Sequence, residues 1–80
     1  MTIDELFNII EESISIDKDE ITDETSTENV VGWDSLGHIT LLSELDEVTD
    51  GASADIPELA NVSSVKELKA ILKDNNLLDG

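Results

Sequence analysis

The residues best able to do chemistry lie together in one stretch, VVGWDSLGHITLL, at residues 30–42. Within it, Ser35 offers a hydroxyl, Asp34 a carboxylate and His38 the only imidazole of the chain. A serine beside an acid and a histidine can act as an activated nucleophile, but it can also be a site of covalent modification. These two roles require different surroundings, and the neighbouring residues distinguish them.

A nucleophilic role for Ser35 does not fit the surrounding pattern. A nucleophile elbow requires Gly-x-Ser-x-Gly after a strand, whereas Trp33 stands at the first glycine position and no strand is indicated before it. The sequence offers no third residue that would orient His38 as a base. A chain of 80 residues also leaves little room for a substrate cleft. We therefore predict that the protein is not an enzyme and that His38 is a solvated surface residue.

The pattern favours a modified serine at the beginning of a helix. Asp34 is a good N-cap residue, so Ser35 is predicted in the first turn of the apolar helix that follows. Backbone N–H groups in a first turn lack partners within the helix, and the helix dipole is positive there. A phosphate esterified to Ser35 would be stabilised at that position. Gly32 permits a sharp turn into the helix, and Trp33 can anchor that turn on the core.

Periodic apolar residues predict the helices that position this site. They indicate long helices at about residues 3–15, 35–48 and 65–73, with one short helix near Pro57. No alternation typical of strands is present. The sequence therefore predicts a single all-α domain over residues 1–80, a small four-helix bundle of three longer helices and a short third one.

Capping residues mark where the first and last helices begin. Thr2 with Glu5, and Ser64 with Glu67, fit capping boxes at the first and last helices.

The polar connection between the first two long helices is too long to stand alone, so apolar residues must anchor it to the core. The predicted anchors are Ile21, Val30, Val31 and Trp33.

Charge limits the partners that the protein can have. Twenty Asp and Glu residues face four Lys and no Arg, for a net charge of -16, and nearly all of the excess lies before residue 59. Such a surface repels nucleic acid and anionic membranes, and it attracts basic patches on partner proteins. No apolar stretch is long enough to span a membrane. The beginning of the chain is acidic where a signal peptide would be basic. We expect a cytoplasmic monomer.

Neither a thiol nor a metal site is indicated. The chain has no cysteine, so it has no disulfide, thiolate ligand or thiol nucleophile of its own. Asp17, Asp19 and Asp23 superficially suggest a calcium-binding loop of the EF-hand type. However, Ile21 replaces a ligand and Thr22 replaces the glycine that the loop needs. We predict no metal site.

The segment from Gly32 to Leu36, opening an apolar helix, resembles the Asp-Ser-Leu site of acyl carrier proteins. The first amphipathic helix, the long loop, Ile56-Pro57 before a short helix, and the lead into the last helix also have counterparts in that family, so the likeness covers nearly the whole chain. The resemblance implies a carrier that bears a covalent 4′-phosphopantetheine arm on Ser35. Asp34 would be the adjacent acid that assists the phosphopantetheinyl transferase and its magnesium ion.

The same resemblance implies a surface for partner enzymes on the second helix. Leu36 and Ile39 correspond to apolar positions where that helix meets partners or the acyl chain, while Leu41, Leu42 and Leu45 are expected in the core. Acids later in the helix would be read by basic docking patches on acyl-loading and acyl-transfer enzymes. These acids are Glu44, Asp46 and Glu47.

Departures from the fatty-acid carriers lie just after the serine. Gly37 and His38 follow Leu36, and Thr40 and Ser43 stand where those carriers commonly have Glu and Met. Gly37 also costs about 1 kcal/mol of helix propensity unless it lies in the first turn. These residues favour a specialised standalone carrier. The cargo is open between acyl, hydroxyacyl and aminoacyl groups, such as D-alanyl, and an unmodified acidic adaptor for a basic partner is the alternative from another class.

Overall fold

Three α-helices form the framework of the protein. The computed structural model describes residues 1–79, and in it α1 spans Ile3–Ile14, α2 spans Ser35–Val48 and α3 spans Val65–Asp74. The three predicted long helices are thus confirmed to within one residue at each end. Their packing makes a small, all-helical bundle.

The predicted short helix at Pro57 has 3-10 geometry. It spans Pro57–Asn61 and follows another 3-10 helix at Ala52–Asp55. Proline stands at the first position of the later one, where its missing N–H breaks no helical hydrogen bond. Runs this short favour the tighter 3-10 winding, so the count of four helices is not confirmed as four α-helices.

One side of each α-helix supplies the core. Leu6, Ile10 and Ile14 of α1 are fully buried, and they pack with inward residues of the other two helices. Those residues are Leu41, Leu45, Val65, Leu68 and Leu72. Leu42, which was also expected inside, is only partly buried at the edge of this cluster.

The predicted capping residues begin the first and last helices. The Thr2 hydroxyl accepts a hydrogen bond from the Glu5 N–H at 3.1 Å, and the Glu5 carboxylate accepts from the Thr2 N–H at 2.9 Å. Hydrogen bonding of the Glu5 carboxylate, first to the Thr2 N–H and second to the Thr2 side chain, holds the pKa of Glu5 below its ordinary value. Ser64 caps α3 by accepting from the Glu67 N–H at 3.2 Å. Each bond satisfies a donor that the first turn leaves free.

The long connection before α2 is fixed by both burial and backbone pairing. Ile21 and Trp33 are buried and Val30 is half-buried, as expected of anchors. Val31 is 96% exposed, so its predicted anchoring role is wrong. The reason is a turn in which the Trp33 N–H donates to the Val30 carbonyl, which places Val31 at the exposed corner.

Backbone hydrogen bonds tie the middle of this connection to the beginning of α3. The Thr27 N–H donates to the Ser63 carbonyl, and the Val65 N–H donates to the Thr25 carbonyl, each at 2.9 Å. The connection is therefore part of the bundle and holds the turn that leads to Ser35. Within residues 1–79, no helix has both the length and the apolar character needed to cross a membrane.

Candidate functional site

Ser35 is the first residue of α2, and its side chain is free of the capping role. The Asp34 carboxylate caps the helix by accepting from the Gly37 N–H at 2.9 Å. Ser35 itself is exposed at the positive end of the helix dipole. The predicted N-cap at Asp34 is thus confirmed, and Ser35 lies exposed in the first turn as predicted.

Close backbone contacts fix the beginning of α2 against α1. A Cβ atom on Gly37 would lie 2.1 Å from the Gly32 carbonyl oxygen, and one on Gly32 would lie 2.0 Å from the Ile14 carbonyl oxygen. Both distances are far below any real Cβ contact, so only glycine permits this stacking. Gly37 is therefore required for packing, which could not be inferred from its helix propensity.

His38 joins α2 to the Pro57–Asn61 segment, so the prediction of a solvated surface residue is wrong. Its Nδ1 accepts a hydrogen bond from the Trp33 indole Nε1–H at 3.1 Å. Its Nε2 lies 3.1 Å from the Leu59 carbonyl oxygen. Because Nδ1 is the acceptor, we assign the proton of the neutral ring to Nε2, which donates to Leu59. The ring is half-buried and stacks beside the indole at a centroid distance of 6.4 Å.

This arrangement bears on whether His38 can activate Ser35. Both imidazole nitrogens have partners, Trp33 on one side and Leu59 on the other. A general base for the hydroxyl needs a free ring nitrogen within hydrogen-bond reach. The geometry therefore gives His38 a bridging role.

The outward face of α2 combines exposed apolar and acidic residues. Leu36 is 73% exposed and Ile39 is 63% exposed, as expected for positions that meet partners. Asp46 and Glu47 are exposed further along the helix. These four residues form what we call the α2 outward face.

Glu44 differs from the other acids of α2. Its carboxylate pairs with the hydroxyl of Ser13, a buried residue of α1. Glu44 is half-buried as a result. Its contact links two helices, which separates it from the four residues of the α2 outward face.

Two grooves flank the His38 link. The first, of about 280 Å³, runs beside Ser35 and is bordered by Thr27, Asn61 and Val62. The second, of about 450 Å³, lies between α2 and the 3-10 helices. Its lining is mainly apolar and includes Ile39, Leu42, Ala54, Ile56, Pro57 and Leu59.

Comparison with models of known protein families finds no match, and no solved structure matches this chain.

Proposed function

We propose that the protein is a standalone acyl carrier protein that holds its cargo on a 4′-phosphopantetheine arm attached to Ser35. The observation that carries the proposal is the placement of Ser35, an exposed hydroxyl in the first turn of α2, with the cap supplied by Asp34. On this proposal, the Pro57–Asn61 segment is the short third helix of a four-helix carrier fold.

The attachment reaction needs no catalytic residue from this chain. The Ser35 oxygen forms a bond to the phosphorus of coenzyme A that bears the pantetheine. The bond from that phosphorus to the bridging oxygen breaks, and adenosine 3′,5′-bisphosphate leaves. The hydroxyl proton passes to a base of the phosphopantetheinyl transferase. Ser35 supplies the acceptor oxygen, and Asp34 is the adjacent acid proposed to assist the transferase and its magnesium ion.

The residues around Ser35 fit a covalently attached phosphate. Free N–H groups of the first turn and the helix dipole stabilise negative charge there. The glycine contacts at Gly32 and Gly37 hold that turn in place. The arm supplies a thiol for a thioester, which the chain itself cannot do because it has no cysteine. Tethering then raises the effective concentration of the cargo at each partner.

The α2 outward face and the net charge support transient docking on basic partners. Leu36 and Ile39 offer apolar contact beside the attachment site, and Asp46 and Glu47 offer negative charge. Electrostatic steering of this kind gives fast, salt-sensitive association. The partners in the proposal are a phosphopantetheinyl transferase and acyl-loading and acyl-transfer enzymes, met by a cytoplasmic monomer.

Two alternatives can be distinguished by experiment. The apolar groove between α2 and the 3-10 helices favours acyl cargo over an aminoacyl group such as D-alanyl, because a chain of methylenes gains from leaving water. The other alternative is an unmodified acidic adaptor, for which the α2 outward face would be the binding surface.

The deciding measurement is the intact mass after incubation with coenzyme A, magnesium and a transferase of broad specificity. We expect a gain of one phosphopantetheine group, abolished in Ser35→Ala and retained in Ser43→Ala, an exposed serine of the same helix. Absence of any gain with several transferases would refute the carrier and leave the adaptor. Competition between acyl and aminoacyl substrates in loading assays then distinguishes the two kinds of carrier.

A further inference from the structure

The groove beside Ser35 has the composition of a binding site for a ligand with both polar and apolar groups. We propose that it holds the first segment of the phosphopantetheine arm against the protein, and that His38 is the positioning residue that keeps its walls together. The inference rests on the proposed function, because it requires the arm on Ser35. It adds a binding site to what would otherwise be only a point of attachment.

The groove offers both polar and apolar groups, which match the groups in the first segment of the arm. After its phosphate, the arm carries a geminal dimethyl group, a hydroxyl and an amide. The Asn61 carboxamide and the Thr27 hydroxyl lie on exposed residues of the groove and can pair with the hydroxyl and amide. Ala60 provides exposed apolar surface for the dimethyl group, and Val62 also lines the groove although it is only 4% exposed.

The two walls of the groove belong to different parts of the chain. One wall is the first turn of α2 with Asp34 and Ser35, and the other is formed by residues 60–62. The second wall follows a 3-10 helix whose last backbone bond, from the Val62 N–H to the Leu59 carbonyl, is long at 3.4 Å. Such a segment has little rigidity of its own.

His38 connects these walls. Its imidazole accepts from Trp33 on the α2 side and reaches the Leu59 carbonyl directly before residue 60. Each of these hydrogen bonds changes the equilibrium between walls held together and walls apart by roughly fivefold. Loss of the imidazole should therefore make residues 60–62 more mobile. It should also lower the fraction of molecules in which the arm occupies the groove.

Nuclear magnetic resonance of the 15N-labelled protein tests this directly, with the mass gain recorded on the same sample. Trp33 is the only tryptophan and lines the groove, so its single indole signal reports on the groove. We expect conversion from the apo to the holo form to shift the indole and Asn61 side-chain signals. We also expect nuclear Overhauser effects between the geminal methyls of the arm and the Val62 methyls.

Two exposed asparagines give a matched pair of variants. Asn61→Ala should weaken the nuclear Overhauser effect between the methyls of the arm and those of Val62 about fivefold, since a hydrogen bond to the arm is lost. Asn8→Ala, on the exposed side of α1 away from the groove, should leave it unchanged. His38→Ala should also weaken it, and His38→Gln should restore part of it, because a glutamine amide can still donate to the Leu59 carbonyl.

The outcomes separate this inference from the proposed function. A gain in mass with signal changes confined to Asp34, Ser35 and Leu36 would show a freely moving arm, which overturns the inference and leaves the carrier intact. No gain in mass would overturn the carrier, and the inference with it. If His38→Ala does not fold, the comparison of Asn61→Ala with Asn8→Ala decides the question alone.

Discussion

Replacing Gly37 with alanine should destabilise the protein, although alanine is the better helix former. The added Cβ would lie 2.1 Å from the Gly32 carbonyl oxygen, where ordinary contact begins at 3.4 Å. The helix and the preceding turn must therefore separate by roughly 1 Å, and both sides of this contact are backbone. Gly32 cannot retreat toward α1, because it is already stacked on Ile14.

The magnitude follows from two opposing effects. Overpacking of this kind costs about 3 kcal/mol when no flexible side chain can yield. The gain in helix propensity from glycine to alanine is about 1 kcal/mol. We therefore expect Gly37→Ala to lower the free energy of unfolding by about 2 kcal/mol, which lowers Tm by roughly 10 °C in a domain of this size.

Urea unfolding followed by Trp33 fluorescence measures this change, with Gly51→Ala as the control. Gly51 has a φ of 88°, and a Cβ added there would meet no atom within 4 Å. Its replacement should therefore cost only about 1 kcal/mol, from the backbone conformation. A Gly37→Ala protein as stable as the wild type, or more stable, would refute the close-contact reasoning. On the proposed function, the phosphopantetheine-loading rate of the folded variant should also fall, because Ser35 lies two residues away.

Three further predictions concern the core, the loop and the partner surface. Leu41→Ala should cost about 2–5 kcal/mol, because Leu41 is fully buried and a cavity remains; thermal unfolding checks it, and a smaller loss would show that the site collapses. The Lys69 hydrogen bond holds the pKa of Asp23 below its ordinary 3.8, so its stabilisation is present above that value and is lost as the pH falls through the lowered pKa. Asp23→Asn should accordingly lower Tm at pH 7 but not in strong acid, and an equal change at both pH values would contradict this. If the protein is the proposed carrier, Asp46→Lys with Glu47→Lys should slow phosphopantetheine loading several-fold at low salt without changing Tm, and unchanged rates would show that these acids take no part in docking.

The helices could be predicted from the sequence because their signals are local. Apolar spacing located α1 and α3, and the capping pairs fixed their first turns. α2 was predicted at the correct residues, but the expected directions of its side chains came from the resemblance to acyl carrier proteins and not from its apolar spacing. It carries apolar residues on several sides, so periodicity did not tell exposed Leu36 and Ile39 from buried Leu41 and Leu45.

At the candidate site, the cap at Asp34 and the place of Ser35 in the first turn could be predicted from the sequence, whereas the contacts of their neighbours could not. The Asp34 cap depends on residues three apart, which the sequence displays. The bond from His38 to Leu59 joins residues 21 apart, and the stacking of Gly37 on Gly32 depends on how the turn meets α1. Such contacts arise from the tertiary arrangement, for which a single sequence gives no spacing rule.

The division of α2 into an inward and an outward side has a consequence for engineering. Leu41 and Leu45 face the core, while Leu36, Ile39 and Glu47 contribute nothing to it. Surface substitutions away from packed features usually change stability by no more than about 0.5 kcal/mol. On the proposed function, the outward residues can therefore be exchanged as a set to build carriers that bind different enzymes in one cell while keeping the same interior.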